Sequence, residues 1–478
     1  MLKILRAASL ALMLSITAYN GFAMQAEEKT TTLQDQKQVS VTIYNENLAL
    51  IKELRSVMLD KGQNKLAWRE VSARMRPETA LLRNPTQPAG FRLLEQNFDF
   101  DLLTPQKLLE KYLGRTVTII RSNLATGAET SETAMVLSIN DGIVLKFDDR
   151  IETGIPGRIT FPGVPGHLRD QPTLSLTLIN HLPGEHELEL SYLTTGLSWQ
   201  SDYVAELSAD DSQLDLNGLV TLANHSGITY DNARLQLVAG EVHQVQPEPR
   251  HARKMMAMMA EAADSIEMKE ESLFEYHLYT LPIPTTLADN QTKQVALMSA
   301  ASIPVSKEFL LRGMDYYYSG KYGEIGHKLK PSVFIHFDNK GEGLGIPLPK
   351  GIVRVYKHDS QGNAQFVGED RIDHTARNEQ IRLKLGNAFD ITADKIQMDF
   401  QRLTSTPQNL FETAYKIAIR NARKEGVTIR VQEPIPGDWT IVSESLPHTK
   451  FSANLAEWKV AVPANQEIVL TYRVRVKY

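Results

Sequence analysis

The sequence predicts a mainly β protein: multidomain antiparallel β-sandwiches with a small SH3-like barrel and short helical connectors. Apolar and polar side chains alternate with a period of two in segment after segment, which requires strands buried on one face only. Glycine, proline and asparagine punctuate those segments at turn positions. Only one short stretch carries a full set of helix signals. A chain of 478 residues is too long for one ordinary core, so roughly three domains are expected.

The elements follow in order. Residues 1–23 have the layout of a secretory signal: Lys3 and Arg6 precede an apolar run from Ala7 to Ala18, and Gly21, Phe22 and Ala23 offer a small-residue cleavage site. The run is shorter than the roughly 20 residues of a membrane-spanning helix. Residues 24–38 are polar and read as disordered. An N-terminal β unit spans 39–104, opened by Val39, Val41 and Ile43 alternating with Ser40, Thr42 and Tyr44 before the Asn45-Glu46-Asn47 turn. Residues 105–165 combine a short helix with the small barrel. Thr104 suits the N-cap, Pro105 the first helical position, and Gly114 the stop. The Asn140-Asp141-Gly142 turn then joins two strands.

A β-sandwich is expected over 166–245, where Leu174, Leu176 and Leu178, then Leu188, Leu190 and Tyr192, mark one apolar face. Residues 246–275 break the rhythm as a methionine-rich linker. The C-terminal β-sandwich covers 276–478, with strands around 333–337, 351–356, 366–374, 380–385, 415–422, 427–431, 439–443 and 468–476.

Composition narrows the function classes. The chain has no cysteine, so disulfides, zinc-thiolate sites, a cysteine nucleophile and a lipid-modified cysteine are all excluded. The formal charge is −5, and loss of Lys3 and Arg6 with a cleaved signal leaves the remainder more acidic still. Nucleic-acid binding needs a concentrated basic surface, and no such block is present.

Gly196-Leu197-Ser198-Trp199-Gln200-Ser201-Asp202-Tyr203, with Asn224-His225-Ser226-Gly227 after it, resembles the core of the domain-of-unknown-function four-one-three-nine family. Leu348-Pro349-Lys350-Gly351, Gly368-Glu369, His374-Thr375 and Gly386-Asn387-Ala388-Phe389-Asp390 continue the resemblance, which runs from about residue 39 to the C-terminus. Relatives described as mucoidy-inhibitor-A-like carry a coiled-coil portion, and no heptad run of that kind occurs here. The resemblance implies a β-rich exported protein and assigns no catalysis. The motif residues Trp199, Tyr203, Asn224, Gly227, Gly351, Gly368, Glu369, His374, Gly386 and Asp390 are expected to be structural. Trp199 and Tyr203 lie four apart in a strand, hence on one face, as core aromatics.

The remaining candidates for chemistry weaken when spacing is considered. In a regular strand Glu369 and Asp373 face one way while Asp370 and His374 face the other, so at most two of them reach a common ion, too few for a metal. Met255, Met256, Met258 and Met259, with His243, His251 and Met268, offer soft ligands for copper(I), but their irregular spacing fits an adaptable apolar segment better. No nucleophile elbow, zinc-protease helix or phosphate loop is present. The last strand, in which Ile468, Leu470, Tyr472, Val474 and Val476 alternate with polar residues, resembles the closing strand of an outer-membrane barrel but equally a sandwich strand with a basic outer face. The expectation is therefore an exported cell-envelope protein, periplasmic or secreted. It would act by binding an envelope protein or cell-surface component, with no cofactor, no nucleic acid and no membrane insertion. An envelope hydrolase whose site assembles only in the fold is the alternative.

Overall fold

The computed structural model describes residues 28–45, 47–123, 125–155, 157–165, 168–240, 242, 269–273, 276–405 and 409–478. The segment 1–23 and the methionine and histidine cluster from His243 to Met268 lie outside the described residues. The fold is mainly β, with one α-helix among the described residues. The chain divides into two compact units, each assembled from separate stretches: residues up to 36, 55–71 and 82–189 in one, and 37–54, 72–81 and 190–478 in the other.

The first unit contains a four-stranded sheet ordered Glu28–Thr31, Gly62–Arg69, Thr173–Asn180, Phe91–Asp99. Leu174, Leu176 and Leu178 are buried, as their alternation requires. Their hydrogen-bonded partners are Gly62–Arg69 and Phe91–Asp99, which alternation alone cannot name. Residues 28–38 are a correction: their polarity predicts disorder, yet Glu28–Thr31 runs parallel to Lys65–Trp68. Specific polar bonds replace hydrophobic burial here. Arg169 grips the Glu28 carboxylate with two bonds of 2.8 Å, and Thr32 and Asp35 form a reciprocal capping box. Arg55, fully buried, donates to the carbonyls of Thr31 and Arg69 and stacks 4.7 Å from the Trp68 ring.

The helix forms at Pro105–Lys111, with the Thr104 hydroxyl accepting from the Lys107 N–H at 3.1 Å. The five strands that follow take the order Ile151–Thr153, Val144–Lys146, Glu129–Ser138, Thr116–Ser122, Arg158–Thr160. Asp141 and Gly142 both adopt positive φ in the tight turn. The expected SH3-like barrel is not formed: this sheet is open. Its two end strands have three residues each and pair inward with one neighbour, leaving too little length to close a cylinder.

In the second unit, one sheet runs Gln291–Pro304, Gln213–Asn224, Leu197–Leu207, Gly351–His358, Ala364–Ile372. Elsewhere in the unit Gln36–Tyr44 pairs in parallel with Tyr230–Ala239, which also pairs with Tyr276–Thr280. The C-terminal sandwich has six strands in one sheet, from Gln380–Asn387 through Ser332–Asp338, Ser306–Arg312, Val427–Pro434 and Leu455–Val462 to Thr449–Ser452. Five strands make the other: Glu324–Leu329, Ile391–Thr404, Leu410–Asn421, Gln466–Lys477 and Asp438–Glu444. The closing strand Gln466–Lys477 therefore lies between two partners, with Leu470, Tyr472, Val474 and Val476 in the core. On its outer face Arg473 and Arg475 meet Glu412. No helix among the described residues is long and apolar enough to cross a membrane.

This core encloses a charge pair. Lys395 Nζ lies 2.5 Å from Glu433 Oε2, and both residues are almost wholly buried. The hydroxyls of Tyr317 and Tyr318 donate to the same carboxylate at 2.6 and 2.9 Å, and Tyr318 bonds Tyr472. The ammonium also lies 4.0 Å from the Tyr317 ring centre. Burial pushes the Lys395 pKa down, opposed by Glu433. Gly313 makes room for the cluster, since a Cβ there would fall 2.1 Å from the Tyr317 hydroxyl.

Two outcomes follow. Lys395→Met strands a buried carboxylate and should cost about 3–5 kcal/mol in denaturant unfolding, with part recovered when Glu433→Leu is added. The Glu28 carboxyl is held below its ordinary range by the hydrogen bond from Arg169. Its folded pKa is thus depressed, so its stabilisation is complete above the unfolded value of about 4.3 and is lost as pH falls through the folded value. Hydrogen exchange over residues 28–35 should accelerate selectively in that acid window, and Arg169→Ala should remove the pH dependence.

Candidate functional site

The strand Leu197–Leu207 places Trp199, Ser201 and Tyr203 on its core face, and a serine between two aromatics interrupts an otherwise apolar row. The parallel strand Gly351–His358 joins it in register from Ser201↔Gly351 onward, so residues 197–200 take no partner from that strand. The approach is close: a Cβ on Gly351 would lie 2.3 Å from the Ser201 carbonyl oxygen. Ala364–Ile372 continues the sheet, pairing Ile352 with Arg371. The turn after Tyr44 is tied in by Asn47, whose Oδ1 accepts from the Gly196 N–H at 2.8 Å.

Where these elements meet there is a cleft of about 260 Å³, lined by Asn45, Trp199, Gln200, Ser201, Lys350 and Arg371, together with Asp202, Gly351 and Ile352. Two side-chain donors of its lining residues are buried and make no hydrogen bond: Asn45 Nδ2 and Trp199 Nε1. The Tyr203 hydroxyl donates to the Pro349 carbonyl at 2.8 Å; burial raises its pKa, opposed by a hydrogen bond from the Ser201 side chain. Asp202, the carboxylate of the lining, is already engaged. Its Oδ1 accepts from Arg354 and its Oδ2 from Thr221, each at 2.9 Å; the Arg354 pKa rises through that bond. Lys350 and Arg371 are exposed, and neither side chain forms an ion pair among the described residues.

A buried donor left unpaired costs about 1–3 kcal/mol, and native structures leave few of them. Two such donors, on Asn45 and Trp199, belong to residues that line one cleft, while Arg371, in register with Ile352 and Asp202, stands on the opposite face of the sheet from Trp199.

The other motif residues divide by role. Asn224 bonds the carbonyls of Ile228 and Leu287 and accepts from Ser226. Gly227 turns the chain at φ +84, and its N–H reaches Asp289. Gly368 sits at φ +152, where a Cβ would lie 2.6 Å from the Leu385 carbonyl. Gly386 also has positive φ. Glu369 faces its cross-strand partner Arg354 at 3.4 Å. His374 Nδ1 accepts from the Lys350 N–H at 3.3 Å, and His374 lines a second cleft of about 210 Å³ with His277 and Tyr279. Asp390 is exposed and contributes its backbone carbonyl to Ala422. Asp370 accepts from the backbone of Arg371 and Lys384. The described residues contain no group of three or more acidic or histidine side chains placed to hold a metal ion.

Residues 188–478, more than half of the chain, match the family described as a domain of unknown function, DUF4139. The chain belongs to the DUF4139 family. No curated protein matches it. The DUF4139 region supplies every lining residue of the cleft except Asn45. Sequence reasoning placed Trp199 and Tyr203 on one face but missed the partnership of Asn45, Ser201, Lys350 and Arg371. The available signal was Ser201, a polar side chain on a buried face.

Gly351→Ala should force the two parallel strands apart, lowering stability by about 1–3 kcal/mol in denaturant unfolding and exposing Trp199 to a fluorescence quencher.

Proposed function

We propose that this DUF4139 protein is exported to the cell envelope, periplasmic or secreted, and acts there by binding an envelope component through the cleft at Trp199. The observation that carries the reading is the pair of buried, unpaired donors on Asn45 and Trp199, two residues that line one cleft. A structural core satisfies its polar groups, whereas a binding site leaves them for a ligand to satisfy. The sequence supports export through the basic start, apolar run and small residues of 1–23. The absence of cysteine suits an oxidising compartment in which no thiol has to be managed.

Purified protein should co-sediment with isolated cell envelopes. Trp199→Phe keeps the ring and removes the N–H, so it should reduce retention about tenfold while leaving the unfolding transition near its original position. Equal retention of the two proteins would remove the cleft from the function. N-terminal sequencing of the cellular protein should begin after Ala23, and an intact Met1 terminus confined to the cytoplasm would remove the envelope assignment.

A further inference from the structure

The buried charge pair of the C-terminal sandwich draws on both of its sheets. Lys395 belongs to Ile391–Thr404 of the five-stranded sheet and Glu433 to Val427–Pro434 of the six-stranded one. We propose that Lys395 Nζ and the Glu433 side-chain carboxyl condense in the folded chain to an isopeptide bond that joins the two sheets. This bond is independent of the cleft at Trp199. Three conditions for such a condensation meet here: contact, exclusion of water and a route for the protons. Nζ lies 2.5 Å from Oε2, and the two side chains are only 4% and 2% exposed. Holding two reactants in contact is worth an effective concentration of about 10⁵ M or more. A closed, dry site also protects the product from hydrolysis. Lys307 and Lys357 show the contrast. Both reach Asp211 at the surface, with side chains between 23% and 30% exposed, and hydration keeps them as ions.

The phenol of Tyr317 bridges the reacting groups: it accepts from Nζ at 2.6 Å and donates to Oε2 at 2.6 Å. Tyr318 donates to the same oxygen at 2.9 Å. Burial, reinforced by the Glu433 charge, raises the pKa of both phenols, so they stay protonated as donors to the carboxyl. Burial acts on Lys395 in favour of the free amine, while Glu433 favours the ammonium. The ring faces of Tyr317, Tyr415 and Tyr472, centred 4.0, 5.1 and 5.9 Å from Nζ, also favour the ammonium. The ion pair is therefore the resting form, and the reaction starts from the small fraction in which one proton has crossed from Nζ to Oε2. The amine lone pair then attacks Glu433 Cδ. Nζ gives a second proton to the Tyr317 oxygen, which passes its own to Oε2. The Cδ–Oε2 bond breaks and Oε2 leaves as water. Both protons of that water come from the ammonium, the amide nitrogen keeps the third, and no oxidant or co-reactant takes part. Tyr317 touches both reacting groups and is the catalytic residue of this step. In a chain without cysteine, the bond ties residues 38 apart in sequence much as a disulfide does.

The test is mass spectrometry of the full-length protein, unfolded and digested with trypsin. The expected species is residues 385–402 joined to residues 431–450, about 18 Da below the sum of the two peptides. Cleavage after Lys395 should be missing from it, because trypsin needs a free lysine side chain. Recovery of 385–395, 396–402 and 431–450 at their full masses, with no joined species, would overturn the isopeptide assignment. Lys395→Met should give 385–402 and 431–450 only as separate peptides, and a joined species persisting there would place the link elsewhere and overturn the assignment as well. Followed over time after synthesis, Tyr317→Phe should form the joined species about a hundredfold more slowly than the unaltered chain. An equal rate would overturn the role of Tyr317 while leaving the bond.

Discussion

The site depends on the contact between two parallel strands at Ser201 and Gly351. Neighbouring strands of a sheet normally leave room for any side chain, but here the carbonyl of Ser201 occupies the space a Cβ of residue 351 would need. Glycine lets the second strand begin at that point and no earlier. Before it, residues 197–200 take no partner from the second strand, and Lys350 lines the cleft there. The cleft is what remains where one strand starts late. Asn47, by fixing the Gly196 N–H, brings the turn containing Asn45 to the other side of the same gap.

How much of this was legible in the sequence varies by element. Strand identity was readable wherever one face is apolar, as at Leu174 to Leu178 or Leu470 to Val476, because burial imposes the two-residue period directly. The helix was readable from Thr104 and Pro105, since capping is a local interaction. Partners were not readable. Parallel pairs such as Ser201 with Gly351 use the same alternation as hairpins and differ only in which distant strand arrives. The order at Glu28 to Thr31 was hidden because it rests on Arg169, far along the chain, rather than on apolar residues. Closure of the five-stranded sheet failed on strand length, a quantity that sequence reading gives to within a few residues at best. The donor cluster was masked by Trp199 itself. An indole on a buried face reads as packing, and packing is part of what it does; whether its N–H finds a partner depends on neighbours from three other segments.

The two buried polar clusters of the second unit make an instructive contrast. Around Glu433 every demand is met: an ammonium, two phenols and the third tyrosine behind them form a closed set. Such a pair contributes little net stability over an apolar core, but any packing that separates its members is heavily penalised, so it selects one alignment of the two sheets. At Trp199 the demand is left open. The low-dielectric surroundings that make the first cluster selective for a fold also make that unmet donor costly.

The parallel pairing of Gln36–Tyr44 with Tyr230–Ala239 has a consequence for how the molecule is made. Thr42 and its sheet neighbour Gln236 are 194 residues apart. A ribosome adding about 5–20 residues each second needs some 10–40 s to produce the later strand after the earlier one has emerged. Throughout that interval one border of the early strand has no native neighbour and is open to annealing with another nascent chain. Assembly of this unit must therefore wait until synthesis is well advanced, and a chaperone that shields the newly made N-terminal half would serve it better than one that acts on the finished chain.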